Sequence, residues 1–195
     1  MSVQQFGNAF NYTTSKGQLN ILFENGYNES INFSGALQYN LTFGSGASQS
    51  NLTFGTNVSQ GNLTFGSSAS QSNLTFGTNV SQDNLTFGSG AYQGYLTFGS
   101  GAYQYNLTFG SDAYQSNLTF GSDAGQRNLT FESNAFQQNL TFGSNAYQAY
   151  LNFAENTNLD YNNQTVNSNI EYVSFRTKNI TVPDLSTATY IYDGD

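Results

Sequence analysis

The chain has 195 residues, no Cys, no His, no Trp and a single Pro, and charged residues make up 8% of it, against a usual share of about 25%. Without Cys or His there is no ordinary zinc site, no Ser-His-Asp triad, no thiol nucleophile, no His-ligated haem and no disulfide, and no cofactor is expected. The net charge of −8 is spread thinly and favours solubility over any particular partner, while four basic residues (Lys16, Arg127, Arg176, Lys178) are too few for a nucleic-acid surface.

The N-terminal stretch Met1-Ser-Val-Gln-Gln-Phe6 has neither a cationic n-region nor a long apolar run, so it does not read as a secretory signal. No stretch approaches the roughly 20 apolar residues of a membrane helix, and no membrane insertion is expected. This leaves a protein kept inside, one exported without a cleaved N-terminal signal, or a chain already processed. Residues 1–39 read as an N-terminal cap holding degraded copies of the repeat that follows. Ile31-Asn32-Phe33, with Ala36 and Gln38, matches that repeat with one turn residue missing, and Leu22-Phe23 reads as an older relic.

From Asn40 the chain repeats with an 11-residue period, and copies start at Asn40, Asn51, Asn62, Asn73, Asn84, Tyr95, Asn106, Asn117, Asn128, Asn139 and Tyr150. Position 2 is always Leu and position 4 always Phe. Position 3 is Thr until Asn152, and position 5 is Gly except at Glu132 and Ala154. Position 8 is Ala or Val, and position 10 is Gln, through Gln148. An 11-residue period also suits a right-handed helical coil. Gly, Thr and Asn in every copy, with only a few apolar positions, argue against a helix.

Leu-Thr-Phe instead alternates in-out-in, as does Ala-x-Gln. Gly at position 5, Ser or Thr at 6 and Gly, Asn or Asp at 7 read as a turn, because such residues tolerate positive φ. One copy is thus predicted to be a short strand, a turn, a second short strand and a corner at positions 11 and 1. Stacked copies give an all-β fold, a β-solenoid of 11-residue repeats over residues 40–153. Gly-Ser-Gly-Ala alternates with Gly-Thr-Asn-Val in the first copies, so a 22-residue coil is as credible as an 11-residue one.

The predicted core ladder is Leu41, Phe43, Leu52, Phe54, Leu63, Phe65, Leu74, Phe76, Leu85, Phe87, Leu96, Phe98, Leu107, Phe109, Leu118, Phe120, Leu129, Phe131, Leu140 and Phe142. Leu and Phe are expected to point inward from one side, and Ala and Gln from the other. Phe43, Phe54, Phe65 and their successors would stack about 4.8 Å apart, and Gln49, Gln60 and theirs would form a hydrogen-bonded ladder. A rival antiparallel meander joins position 8 of one copy to position 4 of the next as one strand, with Gly-Ser-x as a hairpin loop. A disordered chain is the third alternative.

Residues 154–195 are Asn-rich at first and then carry Ile170–Phe175, Asn179–Val182 and Ala188–Tyr192, three alternating β-branched or aromatic runs. They read as a C-terminal β cap or assembly module.

Over residues 40–150 the array is similar to the curlin-type functional amyloids, which stack strand-turn-strand units of about 22 residues rich in Gly, Asn and Gln. Leu-Thr-Phe-Gly stands here in place of the curlin signature of spaced Gln, Gly and Asn. The array also resembles β-solenoid ice-binding proteins, with their flat outward rows of Thr or Asn, and the spaced Phe-Gly dipeptides resemble the disordered segments of nuclear pore proteins. These resemblances imply, in turn, a self-assembling fibre, an ice-binding face and an interaction segment.

Three surface features are candidate sites. The first is an outward array of Asn40, Thr42, Asn51, Thr53, Asn62, Thr64, Asn73, Thr75, Asn84, Thr86, Thr97, Asn106, Thr108, Asn117, Thr119, Asn128, Thr130, Asn139 and Thr141, expected on one flat side. It either orders water and binds ice or merely stabilises the sheet. The same columns are Asn-x-Thr sequons, which an incidental origin explains better than a glycan on every rung. The second feature is an aromatic stripe of Tyr92, Tyr103, Tyr114, Phe136 and Tyr147, with Tyr95, Tyr105 and Tyr150 nearby, suited to lateral packing or glycan contact. The third, the carboxylates Asp83, Asp112, Asp123 and Glu132, forms no acid/base pair or calcium loop.

No catalytic or metal-binding constellation is found, and a non-enzyme is expected. The leading expectation is a structural, self-assembling β-solenoid of an extracellular fibre, matrix or surface layer, joined head-to-tail or laterally to copies of itself. The alternatives are an ice-binding protein and a disordered Phe-Gly interaction segment, with glycans or ice as further partners.

Overall fold

The computed structural model describes the backbone of residues 3–6, 12–14, 20–23, 27–33, 37–154, 157–159, 165–166, 169–175 and 189–192, and the side chains of 30–33, 40–154 and 157. Among these residues every regular element is a strand, and all pairing is parallel. One sheet has ten strands, in the order β1 (Val3–Phe6), β3 (Asn20–Phe23), β5 (Leu37–Phe43), β7 (Ser59–Phe65), β9 (Ser81–Phe87), β11 (Tyr103–Phe109), β13 (Gly125–Phe131), β15 (Tyr147–Phe153), β18 (Asn169–Phe175) and β19 (Thr189–Tyr192). The other runs through β2 (Tyr12–Thr14), β4 (Tyr27–Phe33), β6 (Ser48–Phe54), β8 (Ser70–Phe76), β10 (Tyr92–Phe98), β12 (Tyr114–Phe120), β14 (Phe136–Phe142) and β16 (Asn158–Leu159), with β17 (Thr165–Val166) also on β14.

The protein is a β-solenoid with a 22-residue coil, made of two copies of the repeat. From β1 to β15 each strand pairs with the strand two along: Leu52 lies beside Leu74, not Leu63, and Leu63 beside Leu85. The 11-residue coil is therefore overturned, as is the antiparallel meander. The meander's long strand is nevertheless close to what forms. Position 9 of one copy to position 4 of the next makes one seven-residue strand, as in Ser48–Phe54. Its inward residues are Gln49, Leu52 and Phe54. The paired register passes from Gln49↔Gln71 to Asn51↔Asn73 and skips position 11. There two successive residues face outward, and the expected corner survives as a phase change inside a strand.

The turns carry the ladder around the coil. The residue at position 7 has positive φ in each of the ten copies from Asn40 to Asn139, Gly46, Gly90 and Gly101 at 64 to 70° and the others at 54 to 60°. The backbone N–H of Ala91 donates to the Gly88 carbonyl at 3.1 Å, closing the turn. The N–H of Gly88 and of Gly90 reach the Phe65 and Ser111 carbonyls of the coils on either side at 2.8 and 2.9 Å. Glycine at position 5 has a different cause from the one expected. Its φ is not positive; it is glycine because the turns stack backbone on backbone. A Cβ on Gly99 would lie 2.8 Å from the Gly77 carbonyl carbon and oxygen.

The core lies between the two sheets. Since both sheets are built from the same repeat, each supplies Leu, Phe and Gln, with Ala or Val from the adjoining turns, which corrects the expected division into a Leu/Phe side and an Ala/Gln side. The phenylalanines form two columns rather than one. Phe43, Phe65, Phe87, Phe109, Phe131 and Phe153 stack on one sheet at centroid separations of 4.8 to 5.3 Å. Phe33, Phe54, Phe76, Phe98, Phe120 and Phe142 stack on the other at 4.8 to 5.1 Å.

Strands of both flanking segments extend these sheets. Ile31 and Phe33 sit beside Leu52 and Phe54. Phe23 sits beside Phe43, with Ile21 rather than Leu22 at the Leu register. At the other end Asn169–Phe175 pairs with Tyr147–Phe153, Val173 beside Leu151 and Phe175 beside Phe153. The expected strand at 179–182 lies outside the described residues; of that at 188–192, Thr189–Tyr192 is described and forms β19.

Candidate assembly surfaces

All twenty Leu and Phe residues of the expected core ladder are buried. So are the ten glutamines from Gln49 to Gln148, but they do not bond to one another as expected. Each Nε2 instead reaches backbone. Gln82, for example, donates to its own Asn84 carbonyl at 2.9 Å and to the Gly61 carbonyl of the preceding coil at 2.8 Å. The second bond reaches the very residue that the strand register skips, so the glutamine holds the phase change in place. The Oε1 atoms of all ten accept no hydrogen bond from the protein.

The Asn/Thr array does not lie on one side. Alternate copies belong to alternate sheets, which splits it between the two outer faces. On the ten-stranded sheet the amides form a ladder, Asn62 donating to Asn40, Asn84 to Asn62, Asn106 to Asn84 and Asn128 to Asn106 at 2.7 to 2.8 Å. On the other sheet Asn73 donates to Asn51 at 2.9 Å and Asn139 to Asn117 at 2.8 Å, and Tyr95 interrupts the column between them. The column threonines are half-buried, in register along each face.

The aromatic stripe divides in the same way. Tyr92, Tyr114 and Phe136 stack on the nine-stranded sheet's face, at 5.3 and 4.8 Å. Tyr103 and Tyr147 lie on the opposite face, where Gly125 separates them. A Cβ on Gly125 would come within 2.7 Å of the Tyr103 ring, so this glycine is the space Tyr103 leans into. Beside Tyr103 stands Tyr105, tilted at 56° with centroids 6.3 Å apart. The Arg127 guanidinium sits 4.7 Å from the Tyr105 ring centroid and donates to its hydroxyl, a cation–π contact that sequence reading missed. Also missed was the coupling of tyrosine to small neighbours. Where positions 9 and 1 are both Tyr, the residue at 11 is Gly94 or Ala149, and each is buried between its exposed tyrosines.

These surfaces divide along the solenoid. Position 9 is Ser at residues 48, 59, 70 and 81, and from residue 92 to residue 147 it is aromatic except at Gly125. Both faces therefore change from small and polar to tyrosine-rich at the same height. Asp112, Asp123 and Glu132 lie at turns, Asp112 and Glu132 in adjacent stacked turns where the Ser111 hydroxyl donates to the Glu132 carboxylate at 3.4 Å, and among the described residues no group of three or more His, Cys, Asp or Glu is placed to hold a metal ion.

No family model, curated protein or solved structure matches the chain.

Proposed function

We propose that the protein is a structural, self-assembling β-solenoid that builds an extracellular fibre, matrix or surface layer. One observation carries this reading: the hydrogen-bond ladder continues through strands and turns alike, so every coil is a backbone template for the next. Phe stacks and Asn ladders follow the same 22-residue step and add side-chain order to that template. Among the described residues β1 and β19 are the outermost strands of their sheet, and an open parallel edge recruits further strands unless something covers it. Head-to-tail addition of this kind is a heterologous contact, which propagates instead of closing. A chain without cysteine also has no thiol to oxidise outside a cell.

Electron microscopy and fibre diffraction of the purified protein test the proposal. Unbranched filaments with a meridional spacing of about 4.8 Å are expected. A protein that stays monodisperse and monomeric at millimolar concentration refutes it. The in-register threonine columns favour a second reading, an ice-binding face, and antifreeze activity of the monomer would support that reading instead.

A further inference from the structure

We propose that the outer face of the ten-stranded sheet, from β7 to β15, docks a second copy of the same face, with the two solenoid axes antiparallel. This deepens the assembly reading by giving it a lateral contact, distinct from end-to-end growth. Within residues 40–153 Arg127 is the single basic residue, and Asp83 is the single acidic residue on a strand. Both are exposed, both occupy position 11, and both lie on this sheet. Asp83 is on β9 and Arg127 on β13, the two neighbours of β11.

A twofold axis lying in the interface along β11 lays β9 of one copy over β13 of the other. Asp83 then faces Arg127 of the second copy, twice, once on each side of the axis. Such an isologous contact closes after two copies.

Side-chain size follows the same symmetry. Tyr103 and Tyr105, 42% and 36% exposed, lie at the axis and meet their own equivalents. Outside them Ser81 faces Gly125. At the margin the exposed Tyr147 and Tyr150 of β15 face Ser59 and Asn62 of β7, so the large residues meet small or polar ones. The aromatics are anchors of the kind that dominate protein interfaces. Five strands of seven residues cover about 500–600 Å² per partner, a total near the lower bound for specific interfaces. The opposite face has tyrosines but no strand-borne charge in the array, and nothing there fixes a partner's orientation.

The test uses the full chain in sedimentation velocity at low salt, with the variants Asp83→Arg, Arg127→Asp and the double exchange. The parent is expected to dimerise, each single variant to dimerise at least about tenfold more weakly, and the double exchange to recover. Arg127→Asp also removes the contact with Tyr105, so recovery in the double exchange is the decisive reading. Nitroxide labels on Ser59→Cys, the chain's single thiol, should lie roughly 20 Å apart, because four coils separate the two sites in the antiparallel pair. The proposal is overturned if the parent shows no dimer, if the single variants dimerise like the parent, if the double exchange does not recover, or if the labels lie within about 10 Å as in a parallel pair. Filaments without this dimer leave the assembly reading standing and remove this one. Dimers without filaments do the reverse.

Discussion

Replacing Phe98 by Ala tests the packed core most directly. The ring is 1% exposed. It lies between Phe76 at 4.8 Å and Phe120 at 4.9 Å, with interplanar angles of 2 and 4°. Truncating a buried Phe to Ala costs about 3–5 kcal/mol through lost transfer energy and the cavity left behind. Two stacked partners, each worth about 0.5–1.5 kcal/mol beyond burial, place Phe98 in the upper half of that range. The gap cannot close easily, because the backbone above and below is held at the strand spacing. Tyr103→Ala is the control: the ring is 42% exposed and its aromatic neighbour is tilted, so about 1 kcal/mol or less is expected. Urea unfolding followed by circular dichroism gives both losses. Hydrogen exchange at Leu96 and Leu118 should show the damage centred on the mutated coil, since coils of a solenoid are coupled mainly to their neighbours. Equal, small losses at Phe98 and Tyr103 would refute the packed solenoid.

Gly99→Ala should destabilise by about 1–3 kcal/mol, since its Cβ would overlap the Gly77 carbonyl, and thermal unfolding measures it. Gly90→Asn should unfold within a few degrees of the parent, because Asn57 and Asn79 already hold the same positive φ. Asn84→Ala removes its ladder bonds to Asn62 and Asn106 on an exposed face, and a loss of about 1 kcal/mol is expected in the same assay. The ice-binding reading requires substitutions on one face: Thr64, Thr86 and Thr108 share a column, whereas Thr86 and Thr97 lie on opposite sheets. If that face binds ice, converting those three residues to Tyr should abolish thermal hysteresis with the circular dichroism unchanged; a parent without hysteresis at high concentration removes the reading.

The solenoid was legible in the sequence because its causes are local. Leu-Thr-Phe alternates, and the position-7 residues are those that accept positive φ. The choice of coil length was not local. One copy of the repeat reverses the chain once, and whether the next strand lies beside the first or across from it depends on how two backbones stack. The sequence nevertheless held a sign of the answer. Val58 and Val80 are separated by two copies of the repeat, and the hydrogen bonds from Ser81 to Val58 and from Tyr103 to Val80 place them in one column. The position-5 glycines were legible as turn residues, but their steric cause appears only when the coil above is in place.

The C-terminal segment shows the same limit from the other direction. Asn169–Phe175 shares no Leu-Thr-Phe-Gly motif with the array and reads as an ordinary strand. Yet it begins two repeat lengths after Tyr147 and keeps the register to Phe175. What persists there is the register rather than the motif: Val173 pairs at the Leu place, Ser174 at the position-3 place and Phe175 at the Phe place. Ile170 pairs in register with Gln148, so the strand register passes the Gln place without a glutamine. The backbone pairing thus continues beyond the last glutamine of the column, while every copy from Gln49 to Gln148 retains one. An amide that bonds the backbone at the phase change is needed most where coils lie on both sides, and in the array that is where it is found.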